Sequence, residues 1–147
     1  MNKELKSEIT CLVESAEIAI LSSVDENGFP NTKGVLALQH DDLFTHYFST
    51  NFSAKRTQQF LKNPKACVYF CDAANRDYKG LMLVGTMRVC TDKKHKTMLW
   101  REGFEIYYPD GGVESNDYCV LEFTAERANY YHGLSNTTFS AEEFLNS

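Results

Sequence analysis

The segment 49–56 carries the residues whose types and order point most directly to chemistry. Its pattern predicts the end of a strand followed by a helix that Ser53 caps, and the first helical residues are the cations Lys55 and Arg56. The first turn of a helix already carries about half a positive charge, so two cations there are unfavourable. A bound phosphate would reverse that effect, because free N–H groups, the Ser53 hydroxyl and the Lys55 ammonium would converge on one anion. The alternative is that Lys55 and Arg56 belong to a solvated basic face, and that nearby acidic residues offset its charge.

Other residue types that often do chemistry show no recognisable motif in this sequence. The five cysteines include no Cys-x-x-Cys pair, and the histidines at positions 40, 46, 95 and 132 lack metal-ligand spacing. Neither a glycine-rich phosphate loop nor a serine or cysteine nucleophile motif is present. We therefore predict no metal site and reduced, mostly buried thiols, and we name no catalytic residue.

The elements that must position these residues are predicted to form a mostly antiparallel β-barrel with helices around it. Short apolar runs predict strands at 18–24, 32–39, 43–49, 66–71, 80–90, 118–123 and 127–131. Helices are predicted at about 1–16, 53–63 and 91–101, and a capping box at Ser140 and Glu143 predicts a final helical turn. Gly85 predicts a bulge or a close approach. Gly34 predicts either a bulge or a place where the backbone approaches a flat ligand.

Length and composition indicate one domain that spans residues 1–147. The net charge is −5 and the pI is about 5.3, which argues against nucleic-acid or anionic-membrane partners because both bind basic faces. No apolar stretch approaches the roughly 20 residues that cross a bilayer, and the charged start is not followed by a signal-peptide core. We therefore expect a cytoplasmic protein without a membrane partner.

Three stretches of the chain together resemble one known family. They are an opening hairpin over 20–30, a strand-to-helix passage over 48–64, and Met98-Leu99-Trp100 followed by residues 107–112 and 117–121. In order and spacing they resemble the pyridoxamine 5′-phosphate oxidase-like FMN-binding split barrels, especially the branch related to general stress protein 26. The resemblance covers nearly the whole chain. It implies a mostly β split barrel of six to seven mainly antiparallel strands, which binds FMN at a homodimer interface.

The resemblance also implies which positions contact the flavin. A cation and backbone groups of the second strand match Lys33, Gly34, Val35 and Leu36. The end of the third strand, which would meet the ring system and the ribityl chain, matches Ser49, Thr50 and Asn51. The phosphate would be held by Ser53 and Lys55, in agreement with the charge argument above. Two aromatic residues, Trp100 and Tyr107, could reach the flavin of the partner subunit, although Trp100 fits a core role equally well.

Two departures from the family pattern bear on the reaction. The C-terminal Arg-x-His pair that grips substrate in pyridoxamine phosphate oxidases has no match in residues 128–134, and a flavin-contacting glutamine falls at Gly80. We therefore expect an FMN-dependent oxidoreductase that uses an unnamed small-molecule electron donor or acceptor, rather than a vitamin B6 oxidase. The alternatives are a non-catalytic module for stress response that stores or senses flavin, or binds haem or a deazaflavin, and a ligand-free barrel whose dimer face contacts other proteins.

Overall fold

One curled antiparallel sheet dominates the computed structural model, which describes residues 1–72 and 77–147. In these residues its strands are β1 (Ile18–Val24), β2 (Pro30–Leu36), β3 (Gln39–His40), β4 (Thr45–Asn51), β5 (Lys65–Cys71), β6 (Lys79–Cys90), β7 (Tyr118–His132) and β8 (Ser135–Ser140). The strand order is β2-β1-β5-β6-β7-β4-β3, and β8 pairs with β7. The sheet curls into a half-barrel, so the predicted mostly β split barrel is confirmed.

Four helices and two short 3-10 turns surround the sheet in the described part of the chain. They are α1 (Lys3–Glu14), α2 (Lys55–Lys62), α3 (Lys93–Leu99), α4 (Ala141–Leu145) and the turns Phe104–Ile106 and Gly112–Glu114. The predicted capping box is present, since the Ser140 hydroxyl accepts from the Glu143 N–H and the Glu143 carboxylate accepts from the Ser140 N–H. No helix within the described ranges is long and apolar enough to cross a membrane.

The sheet and helices enclose two hydrophobic clusters. The larger one lies inside the half-barrel under α1, where β1 and β5 alternate buried and less buried residues as a half-buried strand should. The smaller one lies between the outer face of the sheet and α3, and its buried members are Tyr47, Cys90, Leu99, Phe104, Tyr108, Tyr118 and Val120. The five cysteines are free, but only Cys90 and Cys119 are buried, so the prediction of mostly buried thiols is wrong.

The strand β7 is longer than the sequence pattern predicts. Residues 118–123 and 127–131 were expected as separate strands, but they are parts of one continuous strand whose first half pairs with β4 and whose second half pairs with β8. The register between β6 and β7 shifts between Val84 and Gly85, where Glu126 of β7 has no partner on β6, so the bulge lies on β7 opposite Gly85. Pairing resumes on both sides of it, and β7 stays continuous. A Cβ atom at Gly85 would lie 2.0 Å from the Thr124 carbonyl oxygen, so the close approach requires glycine.

Candidate functional site

The strongest candidate site is a cavity of about 330 Å³ at the split of the barrel. Strands β2 and β4 form two of its walls, although four other strands separate them in the sheet order, so only the curl of the sheet brings them together. A half-buried arginine of α2 and the 3-10 turn after α3 complete the wall. The lining residues are Ile18, Lys33, Gly34, Val35, Leu36, Leu38, Ser49, Thr50, Asn51, Arg56, Phe104, Tyr107 and Tyr108. We call this the ring cavity, since its walls are largely apolar and aromatic.

A second cavity of about 410 Å³ adjoins the ring cavity and shares Lys33 and Arg56 with it. Its wall adds Lys55 and the start of α2, so three cationic side chains line it. The remaining lining residues are Leu21, Ser23, Asn31, Thr32, Ala54, Gln59 and Phe60. We call it the cation cavity. Together the two cavities place three cations on one side and largely apolar and aromatic residues on the other.

Arg56 is the most informative charged residue at the boundary of the two cavities. Its Nη2 atom donates to the Thr50 hydroxyl at 2.9 Å, whereas its buried Nε atom has no hydrogen-bond partner among the described residues. No carboxylate of the described residues lies within 4.0 Å of its guanidinium, and burial lowers its pKa. A half-buried cation without a counterion is costly, so this site favours an anion. Arg56 was part of the sequence argument on charge but was not assigned to the binding site.

The start of α2 differs from its prediction. The N-cap residue is Ala54 rather than Ser53, and in the described structure no side chain forms a capping hydrogen bond. Ser53 is one position too early: it is exposed, and its backbone N–H donates to Asp117 Oδ1 at 2.8 Å. The first N–H groups of α2 therefore remain without a capping side chain, which strengthens the anion argument while removing Ser53 from its predicted capping position.

Asp117 is a positioning residue that sequence reasoning missed. Its carboxylate accepts from the Asn51 side-chain amide at 2.9 Å and from the Ser53 N–H, and these bonds hold its pKa below the ordinary value. It thereby orients the end of β4 and the turn before α2. Asp117 is 66 residues away from Asn51 along the chain, so no local signal identifies the pair.

The structure brings most of the predicted site residues together. The ring cavity includes eight of them, namely Lys33, Gly34, Val35, Leu36, Ser49, Thr50, Asn51 and Tyr107. Lys55 lies on the cation cavity and Ser53 lies beside it, on the turn before α2. At Gly34 the pairing with Ile20 continues in regular register, so the bulge interpretation of this glycine is wrong. Its role in approaching a flat ligand stays a prediction.

The two aromatic predictions differ in their surroundings. Trp100 is half-buried, and its indole packs against Phe104, Tyr108 and Tyr118 of its own chain at centroid distances of 5.2–6.0 Å. These contacts fit the core role that the sequence left open for Trp100. Tyr107, by contrast, is 56% exposed at the rim of the ring cavity. Of the two, Tyr107 is the better placed to contact a ligand.

Sequence comparison identifies the family. The family model described as pyridoxamine 5′-phosphate oxidase matches residues 5–132. The chain belongs to the pyridoxamine 5′-phosphate oxidase family. No curated protein matches it in sequence.

Solved structures of this oxidase family agree with the fold. The chain is 42% identical to a protein of the pyridoxinephosphate oxidase family from Clostridium acetobutylicum, which is related to general stress protein 26 of B. subtilis; the match covers 98% of this chain and 99% of that chain with a TM-score of 0.86. An FMN binding protein from Nostoc punctiforme, related to pyridoxamine 5′-phosphate oxidase, is 13% identical over 92% of this chain and 87% of that chain, with a TM-score of 0.66.

A third similar structure is that of a heme binding protein from Mycobacterium smegmatis. It is 13% identical, and the match covers 99% of this chain and 62% of that chain with a TM-score of 0.76. At this identity the likeness shows the shared fold alone. Because proteins with this fold are described as binding different cofactors, the cofactor of this family member must be argued from its own residues.

Proposed function

We propose that this member of the pyridoxamine 5′-phosphate oxidase family binds FMN across the ring and cation cavities and transfers electrons to or from a small molecule. The observation that carries the proposal is the half-buried guanidinium of Arg56, which lacks a counterion among the described residues and stands where the two cavities meet. A ligand with an anionic end and a flat apolar end matches both cavities at once.

The phosphate of FMN would be held at the cation cavity. Lys33, Lys55 and Arg56 supply three positive charges there, and the uncapped start of α2 adds free N–H groups. Asp117 holds the turn that precedes the helix. The phosphate group would offset the repulsion between the cations and the start of α2. These cations would therefore stabilise the FMN complex relative to the ligand-free protein.

The ring system would be held at the ring cavity. Strand β2 lies at the edge of the sheet, so the backbone groups of alternate residues over 33–36 are left for a ligand, and Gly34 carries no side chain. Ser49 and Asn51 at the end of β4 offer polar side chains. Bound FMN would supply the electron-transfer chemistry, while the protein supplies position, hydrogen bonds and a positive environment. We do not propose pyridoxamine phosphate oxidation, because the Arg-x-His pair that grips substrate in those oxidases has no match in residues 128–134.

Haem is a weaker candidate for the same cavities. Among the described lining residues there is no histidine, cysteine or methionine that could bind haem iron axially. Tyr108 is the buried tyrosine of the ring cavity, and burial raises the pKa of its hydroxyl, which disfavours the anionic form that a metal ion binds. The donor set therefore favours a ligand held by its charge and its flat face.

We further propose that a second copy of the chain covers the ring cavity. Ile18, Leu36, Ile106 and Tyr107 are 48–78% exposed around the cavity and the neighbouring 3-10 turn. An apolar rim around a ligand site is typical of an interface. A homodimer would bury this rim and close the ligand between two subunits. The oligomeric state of the FMN-loaded protein, measured by light scattering, tests this expectation.

Two measurements test the main proposal. The visible spectrum of freshly purified protein should contain the flavin bands, and mass spectrometry of the released ligand should identify FMN rather than a deazaflavin or haem. Reduction of that flavin by a nicotinamide donor, followed by turnover on an acceptor, would distinguish an oxidoreductase from a protein that only stores or senses flavin. A bound flavin that no donor reduces would support the storage alternative.

The substitution Lys55→Ala tests the position of the phosphate. A charge-assisted contact contributes about 1.5–3 kcal/mol, so FMN affinity should fall by roughly ten- to a hundredfold. Affinity for riboflavin, which lacks the phosphate, should change little. Lys62→Ala removes an exposed lysine from the last turn of the same helix and serves as the matched control. Equal losses for FMN and riboflavin would place the phosphate elsewhere.

A further inference from the structure

A second group of reactive side chains lies outside both cavities, between the sheet and α3. It consists of Cys90 on β6, His95 on α3 and Glu122 on β7. One sulfur, one nitrogen and one oxygen atom of these residues all lie within 4.8 Å of one another. The five-residue step from Cys90 to His95 and the distant Glu122 form no sequence motif of a metal site. Only the pairing of β6 with β7 and the return of α3 bring the three together.

The imidazole of His95 is already oriented for a ligand on its Nε2 side. Its Nδ1 atom donates to the Asp92 carboxylate at 2.8 Å, while Nε2 faces Glu122 Oε2 at 3.4 Å. Asp92 is also the N-cap of α3 and accepts from the His95 backbone N–H. A carboxylate on the far nitrogen is the usual outer-shell arrangement of metal-bound histidines, because it sets both the tautomer and the ring orientation.

The two oxygen atoms of the Glu122 carboxylate have different partners, as the two ring nitrogens of His95 do. The Nε and Nη2 atoms of Arg88 both contact Oε1, each at 3.0 Å, whereas Oε2 points to His95. Arg88 therefore fixes the carboxylate without using the oxygen that faces the group. Cys90 completes the triangle from a buried position, 2% exposed, where its thiol donates to the Arg88 carbonyl oxygen over a long distance of 3.9 Å.

We propose that Cys90 Sγ, His95 Nε2 and Glu122 Oε2 bind one Zn²⁺ ion. Sulfur, imidazole nitrogen and carboxylate oxygen are the three donor types of zinc sites, and three protein ligands leave a fourth position for water. Two ligand atoms about 2.1 Å from a tetrahedral ion lie roughly 3.4 Å apart, which is the distance from His95 Nε2 to Glu122 Oε2. With a Zn–S bond of about 2.3 Å, the sulfur should lie roughly 3.6 Å from each of the other ligand atoms. It lies within 4.8 Å of both, so each distance needs to shorten by at most roughly 1.2 Å.

The charges of the group also balance with the ion present. A Cys90 thiolate, Glu122 and Asp92 carry three negative charges, and Arg88 with Zn²⁺ carries three positive ones. Binding would release the thiol proton to solvent, because the thiolate is the ligand form. The ion would connect α3 to β6 and β7. This proposal concerns a site separate from the cavities and does not rest on FMN binding.

The test measures zinc directly. The purified protein, treated with chelator and dialysed, is titrated with Zn²⁺ against a chromophoric chelator, and Co²⁺ loading is followed as a difference spectrum in which a cobalt–thiolate bond gives a charge-transfer band. We expect one Zn²⁺ per chain. Cys90→Ser and His95→Gln should each lower zinc affinity by about 100-fold or more. Cys90→Ser should also abolish the cobalt–thiolate band, because it removes the thiolate. Cys67→Ser, a half-buried cysteine of β5, is the matched control and should change neither.

Two milder variants keep the proposal falsifiable if the buried Cys90 cannot be replaced without unfolding. Glu122→Gln keeps the side-chain size and should weaken zinc, whereas the exposed Glu126→Gln should not. Asp92→Asn retains a good N-cap but removes the charge behind His95, so zinc affinity should fall about 10- to 100-fold while the melting temperature without metal stays unchanged. Substoichiometric zinc, or zinc affinity that is equal in wild type, Cys90→Ser and Glu122→Gln, would overturn the proposal.

Discussion

The starts of α2 and α4 are built in opposite ways, although both helices are short and both follow a strand. At α4 the Ser140 side chain caps the helix, Glu143 completes the capping box, and two acids occupy the first turn. At α2 the N-cap is Ala54, no side chain of the described residues caps the helix, and two cations, Lys55 and Arg56, open the first turn. Local electrostatics therefore favours α4 and disfavours α2.

The difference corresponds to what each helix does next. The capped α4 places Phe144 against Phe44 and Phe139 at centroid distances of 5.5–5.7 Å, so its start serves packing. The uncapped α2 places Arg56 at the boundary of two cavities. When no side chain caps the start of a helix, its first backbone N–H groups stay available for a ligand.

The largest effect is expected from Arg56→Gln. FMN affinity should fall by roughly ten- to a hundredfold, because a charge-assisted contact of about 1.5–3 kcal/mol is lost. The ligand-free protein should not lose stability, since the substitution removes a half-buried charge without a counterion among the described residues. FMN titration and urea unfolding check both statements. Arg127→Gln, an exposed arginine of β7, is the control, and a strong loss of ligand-free stability would argue for a structural role of Arg56.

A smaller effect is expected from Ser140→Ala at the other helix. Loss of the capping box should lower the free energy of unfolding by about 1 kcal/mol, because the Glu143 N–H loses its acceptor. FMN affinity should stay within twofold of the wild type, since α4 lies on neither cavity. Urea unfolding of Ser140→Ala beside Ser135→Ala, an exposed serine of β8, measures the difference. An unchanged unfolding midpoint would show that the box contributes nothing to stability.

The smallest effect is expected when α2 receives the kind of cap that α4 has. Ala54→Asp should stabilise the ligand-free protein by about 0.5 kcal/mol, because the carboxylate caps the first turn and faces its cations. The same charge should weaken FMN by about two- to fivefold and leave riboflavin unaffected. Thermal unfolding with and without FMN shows whether the two effects have opposite signs. Tighter FMN binding would mean that no anion docks at this turn.

Local sequence patterns were sufficient for most elements and failed at two kinds of position. Strands with a clear apolar alternation, such as β1 and β5, begin and end within a residue of their predicted bounds. The polar edge strand β8 was missed, since Ser135-Asn136-Thr137-Thr138 has no apolar alternation and gains its order from pairing with β7. The N-cap of α2 was predicted one residue too early. Ser53 has a side chain typical of an N-cap, but its backbone N–H donates to Asp117, which comes from a distant part of the chain.

The sequence by itself determined which chemical groups are available: two cations at the start of a helix, a glycine in an exposed strand, and the order of elements typical of the oxidase family. Only the tertiary structure decided which of them meet. Residues of β2 and β4 share a cavity because the curl of the sheet closes across four intervening strands, and Arg56 of α2 lines that cavity. Cys90, His95 and Glu122 converge because β6 pairs with β7 and α3 packs back onto these strands. Such contacts depend on strand register and sheet curvature. Both result from many interactions between residues far apart in the chain, which no short segment determines.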